Sequence, residues 1–495
     1  MYVLEGSDCA IVLMKLTNRE DKTSAEPAEG RGQTKENDAQ PHTHPTQSGT
    51  RVSQGLGGVR QTARDRKQER FTALLHHVNV DLLRAAFSWL KRDAAPGVDG
   101  LTWPEYEQNL EARLVDLHAR IHRGAYRALP SRRKFIPKGD GQRPLGIAPL
   151  EDKIVQRAVV EVFNAIYEED FMGFSYGFRP GRNQHQALDA LAFGITRTKV
   201  NYILDCDVRA FFDSVSHEWL VRFIEHRIGD PRMIRLIRKW LKAGVMEDGQ
   251  WSSTETGTPQ GSVVSPTLAN VYLHYCFDLW AERWRRRLAR GQVVYVRYAD
   301  DIVVGFEHRD EAEQFLADLR ERLAAFALEL HPQKTRLIEF GRYAAERRAE
   351  RGLGKPETFN FLGFTHICSR SRSGGFQLKR KTRRDRMRAR LRAVKEGLRR
   401  RMHEPIPDQG QWLARVVRGY FAYHAVPTNA RSLNAFHHHI GRLWLRTLKR
   451  RGQRDASTWS RVAQLVAEYL PTPRILHPWP DARFVVTHPR WEPSA

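Results

Sequence analysis

The chain has 495 residues, with 81 Lys and Arg against 57 Asp and Glu, which gives a formal net charge of +24 and a pI near 10.2. This length allows two or three domains with a substantial core, and the positive surplus favours partners that carry phosphates. No apolar run is long enough to span a membrane, and the four cysteines form no C-x-x-C pair. The composition therefore excludes a membrane-spanning protein, a disulfide framework and a cysteine-based zinc module, and we expect a cytoplasmic protein associated with nucleic acid.

The first 66 residues are predicted to form a disordered tail. Residues 17–66 contain no Phe, Trp or Tyr and are rich in Gly, Pro, Gln, Thr and charged residues, so they bury too little apolar surface to offset the entropy of ordering. Apolar residues then recur at helical spacing over 74–90 and predict the first helix. A Pro-Gly turn follows at 95–97, and strands and helices alternate to about residue 364, which indicates an α+β fold.

Two apolar strands run directly into carboxylates. Residues 202–206 lead to Asp207, and the β-branched runs at 293–296 and 302–306 flank Asp300 and Asp301 at the tip of a predicted hairpin. Adjacent carboxylates repel each other, so a cation is expected there, although an acidic pair in a turn can also be simply solvated. Oxygen ligands of this kind suit Mg²⁺ or Mn²⁺, which keep several waters and take further ligands from phosphates.

The blocks around these strands resemble, in the same order, those of the group II intron-encoded reverse transcriptase/maturase family. The matching blocks are RKFIPK at 133–138, QRPLGI at 142–147, SYGFRPGR at 175–182, GTPQGS at 257–262, SPTLAN at 265–270, KT at 334–335 and FLGF at 361–364. The resemblance implies a right-hand polymerase fold, with fingers and palm over 67–365, a helical thumb and maturase domain over 366–465, and a short extension over 466–495. It covers most of the chain.

The resemblance also implies roles for individual residues. Asp207, Asp300 and Asp301, with the backbone of Val208, would hold two Mg²⁺ or Mn²⁺ ions, and Lys334 would protonate the leaving pyrophosphate. The family usually has Asn and Glu where this chain has His331 and Gln333.

Further implied roles concern the nucleotide, the template and the primer. Lys138 and Arg143 would hold the triphosphate, and Phe212 would exclude a ribose 2′-hydroxyl; the alternatives are ordinary surface charges and a plain core Phe. The remaining implied residues are Gln260 and Gly261 for the template platform and Phe361, Leu362 and Gly363 for the primer grip.

The C-terminal part is basic and predicted to be helical. Residues 379–401 contain 13 Lys or Arg, which favours contact with phosphates; the predicted RNA-binding residues are Arg383, Arg384, Arg386, Arg388, Arg390 and Arg392. The aromatics of residues 412–424 fit an RNA-docking helix or a thumb core equally well. His437, His438 and His439 point about 100° apart on a helix and are not expected to converge on one metal ion.

These features predict an RNA-directed DNA polymerase that copies group II intron RNA from a DNA target or primer with deoxynucleoside triphosphates, and that assists splicing and mobility. The alternatives are a non-catalytic RNA-binding splicing factor and a reverse transcriptase recruited to CRISPR or phage defence. No cysteine follows Cys368, so we also expect the kind of family member that lacks an endonuclease domain with paired cysteines.

Overall fold

The computed structural model describes residues 47–487 apart from 139–140, 248–249, 254–255, 259–260 and 452–457. Its fold is α+β, as predicted, with mixed sheets and helices followed by a helical region. In the described part, the strands are β1 (Ser131–Lys138), β2 (Gly141–Ile147), β3 (Tyr202–Asp207), β4 (Val245–Glu247), β5 (Gln250–Ser252), β6 (Val293–Tyr298), β7 (Asp301–Phe306), β8 (Arg336–Glu339), β9 (Phe359–Phe361), β10 (Phe364–Arg370) and β11 (Phe376–Thr382).

The helices of the same region are α1 (Gln47–Asp65), α2 (Val80–Ser88), α3 (Trp103–Glu107), α4 (Leu110–His122), α5 (Leu150–Tyr167), α6 (Gln184–Arg197), α7 (Phe211–Ser214), α8 (His217–Glu225), α9 (Pro231–Lys242), α10 (Ser265–Leu273), α11 (Leu279–Leu288), α12 (Arg309–Ala324), α13 (Ala344–Glu350), α14 (Arg384–Arg400), α15 (Ile406–His424), α16 (Ala430–Leu448), α17 (Trp459–Tyr469) and α18 (Pro480–Thr487). A 3₁₀ helix covers Leu75–His77, and a π-helical turn covers His274–Asp278.

Helix α1 corrects the prediction of a disordered tail up to residue 66. The helix packs against α2 and α5, and Ala63 is fully buried. Buried Arg227 donates to the carbonyls of Arg66 and Glu69 at 3.1 and 2.8 Å, just past the helix end. The prediction is therefore wrong for residues 47–65, because small aliphatic side chains suffice when a preformed core receives them. Residues 1–46 lie outside the described residues.

The helix predicted over residues 74–90 is divided in the structure. The Leu75–His77 turn comes first, and α2 begins only after Asn79, whose side chain accepts a hydrogen bond from the N–H of Leu82 at 2.9 Å. Asn at an N-cap favours a new helix start because it satisfies an otherwise unpaired backbone donor. The apolar spacing continues across this break, so the pattern alone did not reveal it.

A four-stranded antiparallel sheet positions the carboxylates. Its strand order is β6-β7-β3-β8, and helices α6 and α12 pack on it. A second four-stranded sheet, β2-β1-β4-β5, carries the predicted triphosphate-binding hairpin, and a three-stranded sheet, β11-β10-β9, follows towards the C-terminus.

The predicted unit boundaries at 365/366 and 465/466 fall inside β10 and α17, so neither coincides with a break between elements. Side chains of Phe359, Phe364 and Leu378 join the large core of the polymerase sheets, whereas a second core forms among α14, α15, α16 and α17. The chain beyond α17 returns to the region of the polymerase sheets, where α18 packs on α6 and Arg483 lies 2.9 Å from buried Asp189. None of the described helices is long and apolar enough to cross a membrane.

Candidate active site

Asp300 and Asp301 lie where strand β6 turns into strand β7. Tyr298 pairs directly with Asp301, so Ala299 and Asp300 alone form the connection. Ala299 has φ of 55°, in the left-handed region, which costs a residue with a Cβ about 1–2 kcal/mol. The surrounding structure must therefore hold this turn in place.

Strand β3 brings Asp207 to the same turn. In the ladder between β3 and β7, Asp207 pairs directly with Asp301, and directly paired residues project their side chains to the same face with Cβ atoms about 4.5–5.5 Å apart. Asp207 and Asp300 are partly exposed and Asp301 is exposed. Two segments separated by more than ninety residues in the sequence thus place three carboxylates at one end of the sheet.

Arg297, which sequence reasoning missed, anchors the turn from below. Its side chain is fully buried and pairs with Asp278 through two hydrogen bonds, Nε to Oδ1 at 2.7 Å and Nη2 to Oδ2 at 2.6 Å. Its Nη1 donates to the carbonyl of Ala299 and to Oδ1 of Asn270, both at 3.1 Å. Burial alone would raise the pKa of Asp278, but the charge of Arg297 and its hydrogen bonds hold that pKa below its usual value.

A second element closes over the turn. The Nδ2 of Asn270 donates to the carbonyl of Gly177 at 2.7 Å, and a Cβ at Gly177 would lie 2.3 Å from the backbone nitrogen of Ala299. Only glycine therefore fits at 177.

The sequence did contain a signal for Arg297. It is a single cation inside a strand of otherwise apolar residues, and a buried cation must have a partner.

The loop that contains Lys334 is fastened to the end of β3. The N–H of His331 donates to the carbonyl of Asp207 at 2.7 Å, and Val208 forms a β-bridge with Leu330. Lys334 Nζ lies 3.5 Å from Asp207 Oδ1. The structure therefore places Lys334 beside the carboxylates, although His331 and Gln333 depart from the usual family residues.

The carboxylates are suited to ions that take some of their ligands from a substrate. Among the described residues, no group of three or more His, Cys, Asp and Glu side chains is arranged to hold a metal ion, so metal binding at the three aspartates stays a prediction. Asp207 and Asp301 instead share one face and are open to solvent, as Mg²⁺ and Mn²⁺ sites completed by water and phosphates require. Nearby, burial raises the pKa of Asp205 to about 6, although Arg336 lies 3.7 Å away.

Phe212 lies beside this end of β3, in the first turn of α7. Its ring is partly buried and meets the ring of Phe211 edge to face, with centroids 5.4 Å apart. Its carbonyl accepts from the N–H of Thr258 at 2.7 Å. These contacts fix the position of the ring but do not identify its role, so sugar selection by Phe212 stays a prediction.

The fingers residues are described only in part. Gly261 has φ of 107°, and a Cβ there would lie 2.7 Å from the carbonyl oxygen of Gly146 on β2, so this position requires glycine. Arg143 pairs with Ile136, and Lys138 pairs with Gly141, in the β1–β2 hairpin. The side chains of Lys138 and Arg143, and the whole of Gln260, lie outside the described residues, and their proposed roles stay predictions.

The predicted primer grip is a tight turn between β9 and β10. Leu362 and Gly363 have φ of 44° and 79°, and Phe361 is buried in the large core. The hydroxyl of Tyr423 on α15 donates to the carbonyl of Leu362 at 2.9 Å, and the N–H of Arg383 donates to that of Gly363 at 3.1 Å. This turn is thus tied to the helical region.

The basic helix begins later than predicted. Helix α14 starts at Arg384, whereas Lys379, Arg380 and Lys381 belong to β11, and Arg380 is buried against Asp189 at 3.0 Å. Five of the six exposed cations of α14 form one stripe at helical spacing: Arg384, Arg388, Arg392, Lys395 and Arg399.

The other predicted RNA-binding arginines are less available for contacts with RNA than the arginines of this stripe, because they are paired or partly buried. Arg383 pairs with Asp385 at 2.7 Å. Arg386 and Arg390 are partly buried, and burial lowers the pKa of Arg390.

Most aromatics of residues 412–424 pack in the core of the helical region rather than on an RNA-docking surface. Trp412, Tyr420 and Phe421 are buried in the second core, where their area contributes to packing. His437, His438 and His439 lie in α16, and within the described residues no cluster of metal ligands includes them. That they do not bind one metal ion together stays a prediction.

Known proteins are similar to this chain. Residues 136–366 match the family described as Reverse transcriptase (RNA-dependent DNA polymerase). Protein YkfC of Escherichia coli strain K12 is 33% identical over 312 residues, which cover 56% of this chain and 77% of YkfC. The group II intron-encoded protein LtrA of Lactococcus lactis subsp. cremoris is 34% identical over 224 residues, which cover 44% of this chain and 37% of LtrA.

This chain belongs to the family of group II intron-encoded reverse transcriptases. An uncharacterized 91 kDa protein in the cob intron of Schizosaccharomyces pombe is also 37% identical over 200 residues, which cover 40% of this chain and 24% of that protein. The chain thus spans most of YkfC but well under half of the two intron proteins. The activities of those whole proteins do not transfer to this reverse transcriptase by similarity alone.

The buried pair makes a testable prediction. Arg297→Met should lower the free energy of unfolding by about 3–5 kcal/mol, because Asp278 then stays buried without its cation. The double variant Arg297→Met/Asp278→Leu should recover most of this stability, because no unpaired charge is left. It should still synthesise DNA slowly, because the carbonyl of Ala299 no longer has its donor. Urea unfolding and primer extension measure the two effects.

The matched control is Arg309→Met, which removes an exposed arginine paired with Glu313 on α12 and should cost no more than about 1 kcal/mol. Full recovery of both stability and DNA synthesis in the double variant would contradict a positioning role for Arg297.

Proposed function

We propose that this reverse transcriptase copies group II intron RNA into DNA by two-metal nucleotidyl transfer at Asp207, Asp300 and Asp301. The observation that carries the proposal is the register of the central sheet, which pairs Asp207 with Asp301 next to a turn held by buried Arg297. Rigid placement matters because this chemistry depends mainly on positioning and on stabilising charge. Two divalent ions bound there would activate a primer 3′-hydroxyl and stabilise the leaving pyrophosphate.

The neighbouring residues support the same reaction. The ammonium group of Lys334 lies 3.5 Å from Asp207, in reach of a triphosphate held at the carboxylates, and would donate a proton to the pyrophosphate as it leaves. Lys138 and Arg143 are proposed to hold that triphosphate from the β1–β2 hairpin. Phe212 would contact the sugar of the incoming nucleotide, and Gly261 lets the backbone approach the template closely.

The proposed partners are intron RNA, a DNA target or primer, and deoxynucleoside triphosphates. The exposed stripe of α14 offers five cations along one helix face, which suits an RNA backbone. Relatives that are named as intron-encoded proteins support intron RNA as the template, and we propose that the same contacts assist splicing and mobility. A non-catalytic splicing factor would retain RNA binding but would not need the three aspartates.

The aspartates decide between these two functions. Asp300→Ala and Asp301→Ala should each reduce extension of a DNA primer on an RNA template by about 10³-fold or more, because removal of a metal ligand takes away several kcal/mol of transition-state stabilisation. Folding and RNA binding should persist. Asp116→Ala, which removes a carboxylate that is 57% exposed, is the matched control and should extend normally. Extension near the wild-type rate in either hairpin variant would rule out catalysis by metal ions at these aspartates, whereas a wild-type chain that binds RNA but extends no primer would favour the splicing factor.

Phe212 is tested by the sugar of the incoming nucleotide. Phe212→Val should lower the preference for deoxynucleotides over ribonucleotides by at least about tenfold, because a smaller side chain leaves room for the 2′-hydroxyl. Paired kcat/KM measurements give the ratio. Phe211→Val, which truncates the buried neighbour, should change stability but leave the ratio unaltered. An equal effect of both variants on the ratio would indicate that Phe212 is a plain core residue without a role in sugar selection.

The α14 stripe is tested by salt. Arg384→Gln, Arg388→Gln and Arg392→Gln together should flatten the plot of log affinity for RNA against log salt by about 0.7–0.9 for each phosphate that is no longer neutralised, since fewer counterions are released. Arg283→Gln, Arg287→Gln and Arg320→Gln on α11 and α12 remove the same charge from exposed positions. Equal slopes for the two triple variants would show that the stripe faces solvent.

A further inference from the structure

Helix α9 carries a second line of cations, outside the site described above. Arg232, Arg235, Lys239 and Lys242 recur at intervals of three and four residues, which places them on one helix face. The opposite face is apolar, and Met233, Ile237 and Trp240 are buried in the large core. The line is about 15 Å long at 1.5 Å per residue, enough to follow several successive phosphates.

The segment after α4 converges on this line. Arg123 and Gly124 line the same concave surface as Arg232, Arg235 and Lys239, with a cavity volume of about 100 Å³. None of the described residues that line this surface belongs to β3, β6 or β7, which carry the aspartates. We call it the α4–α9 pocket.

Hydrogen bonds, two of them buried, hold the two walls of the pocket together. Lys239 Nζ donates to the carbonyls of Gly124, at 3.2 Å, and of Tyr126. The Tyr126 hydroxyl in turn donates to Asp152 and accepts from Trp240 Nε1 at 2.9 Å. The cations are therefore presented from a built surface rather than from mobile loops.

The positive charge of the α4–α9 pocket is weakly compensated. Within the described residues, Arg123 and Arg235 have no carboxylate partner, whereas Arg232 pairs with Asp230 at 3.2 Å. Burial and the charges of Arg235 and Arg127 lower the pKa of Lys239. Cations that repel one another in this way stabilise a bound anion.

We infer that the α4–α9 pocket binds phosphodiester groups of a structured RNA while primer and template occupy the polymerase cleft. The pocket is well below the roughly 300–1,000 Å³ of small-molecule sites, so it suits a phosphate group rather than a whole nucleotide. RNA is favoured over DNA because this inference rests on the proposed function, in which intron RNA is a partner. It adds an RNA-binding surface separate from the α14 stripe.

The test uses the full chain with its cleft filled by an excess of unlabelled primer–template duplex, and a labelled RNA stem-loop as the probe. Arg123→Gln/Arg235→Gln should weaken binding of the stem-loop and reduce its salt slope by about 0.7–0.9 for each phosphate that the variant no longer neutralises. Arg283→Gln/Arg320→Gln, with the same change in charge, should leave the slope unchanged. Primer extension should be unaffected, because neither residue lies at the aspartates.

Several outcomes would overturn the inference. Equal slopes for the two double variants would mean that net charge alone is responsible. Equal binding of a DNA stem-loop would mean that the pocket accepts any nucleic acid, and displacement of the stem-loop by inorganic pyrophosphate at constant ionic strength would indicate a site for small anions. A matching loss of primer extension would place the pocket in the polymerase cleft. Failure of the proposed function alone would instead appear as wild-type chain that binds the stem-loop but extends no primer.

Discussion

The end of the central sheet that carries the three aspartates depends on one buried ion pair. Arg297 and Asp278 are both fully buried, and a charge in that position costs several kcal/mol unless it is paired and hydrogen-bonded. The pair meets this condition because the π-helical turn that ends at Asp278 directs the carboxylate at Arg297, and Asn270 takes a further hydrogen bond. The Nη1 of Arg297, which donates to Asn270, also donates to the carbonyl of Ala299. One hydrogen-bond network therefore links the core to the strained turn that carries the aspartates. The contacts of this network offset the conformational free energy that the left-handed backbone of Ala299 costs.

A second buried ionic cluster connects the C-terminal part of the chain to the polymerase sheets. Asp189 on α6 lies between Arg380 of β11 and Arg483 of α18, at 3.0 and 2.9 Å. The rings of His185 and His477 stack beside it, with centroids 3.9 Å apart, and burial lowers the pKa of His185 to about 3, so this ring is neutral near pH 7. The C-terminal segment therefore spans from the helical region back to α6. The turn at Leu362, whose carbonyl accepts a hydrogen bond from Tyr423 on α15, is a second connection between these two regions.

The sequence was sufficient for the parts of the site that follow from local pattern. Apolar runs that end in Asp207 and in Asp300 predicted strands whose ends carry carboxylates, and the ladder between β3 and β7 brings them together. Other parts of the site could not be predicted from local pattern. Arg297 is a lone cation in an apolar strand, but its partner Asp278 lies on a π-helical turn that no periodicity indicates. Helix α1 lacks aromatics and looked unable to fold, because its burial depends on a core built by later residues.

The sequence by itself thus determined the α+β class, the family and the position of the three aspartates at strand ends, because strand periodicity and ordered motifs are local properties of the chain. Only the tertiary structure decided which charges are buried and which face solvent. Arg380 and Arg384 are neighbours in one basic run, but Arg380 is paired inside the protein, whereas Arg384 lies on an exposed stripe. The aromatics around Trp412 could have served RNA or a core, and their burial among α14, α15 and α16 makes them core. The physical reason is that the free energy of a charge or a ring depends on its surroundings, and those surroundings come from segments far away in the sequence.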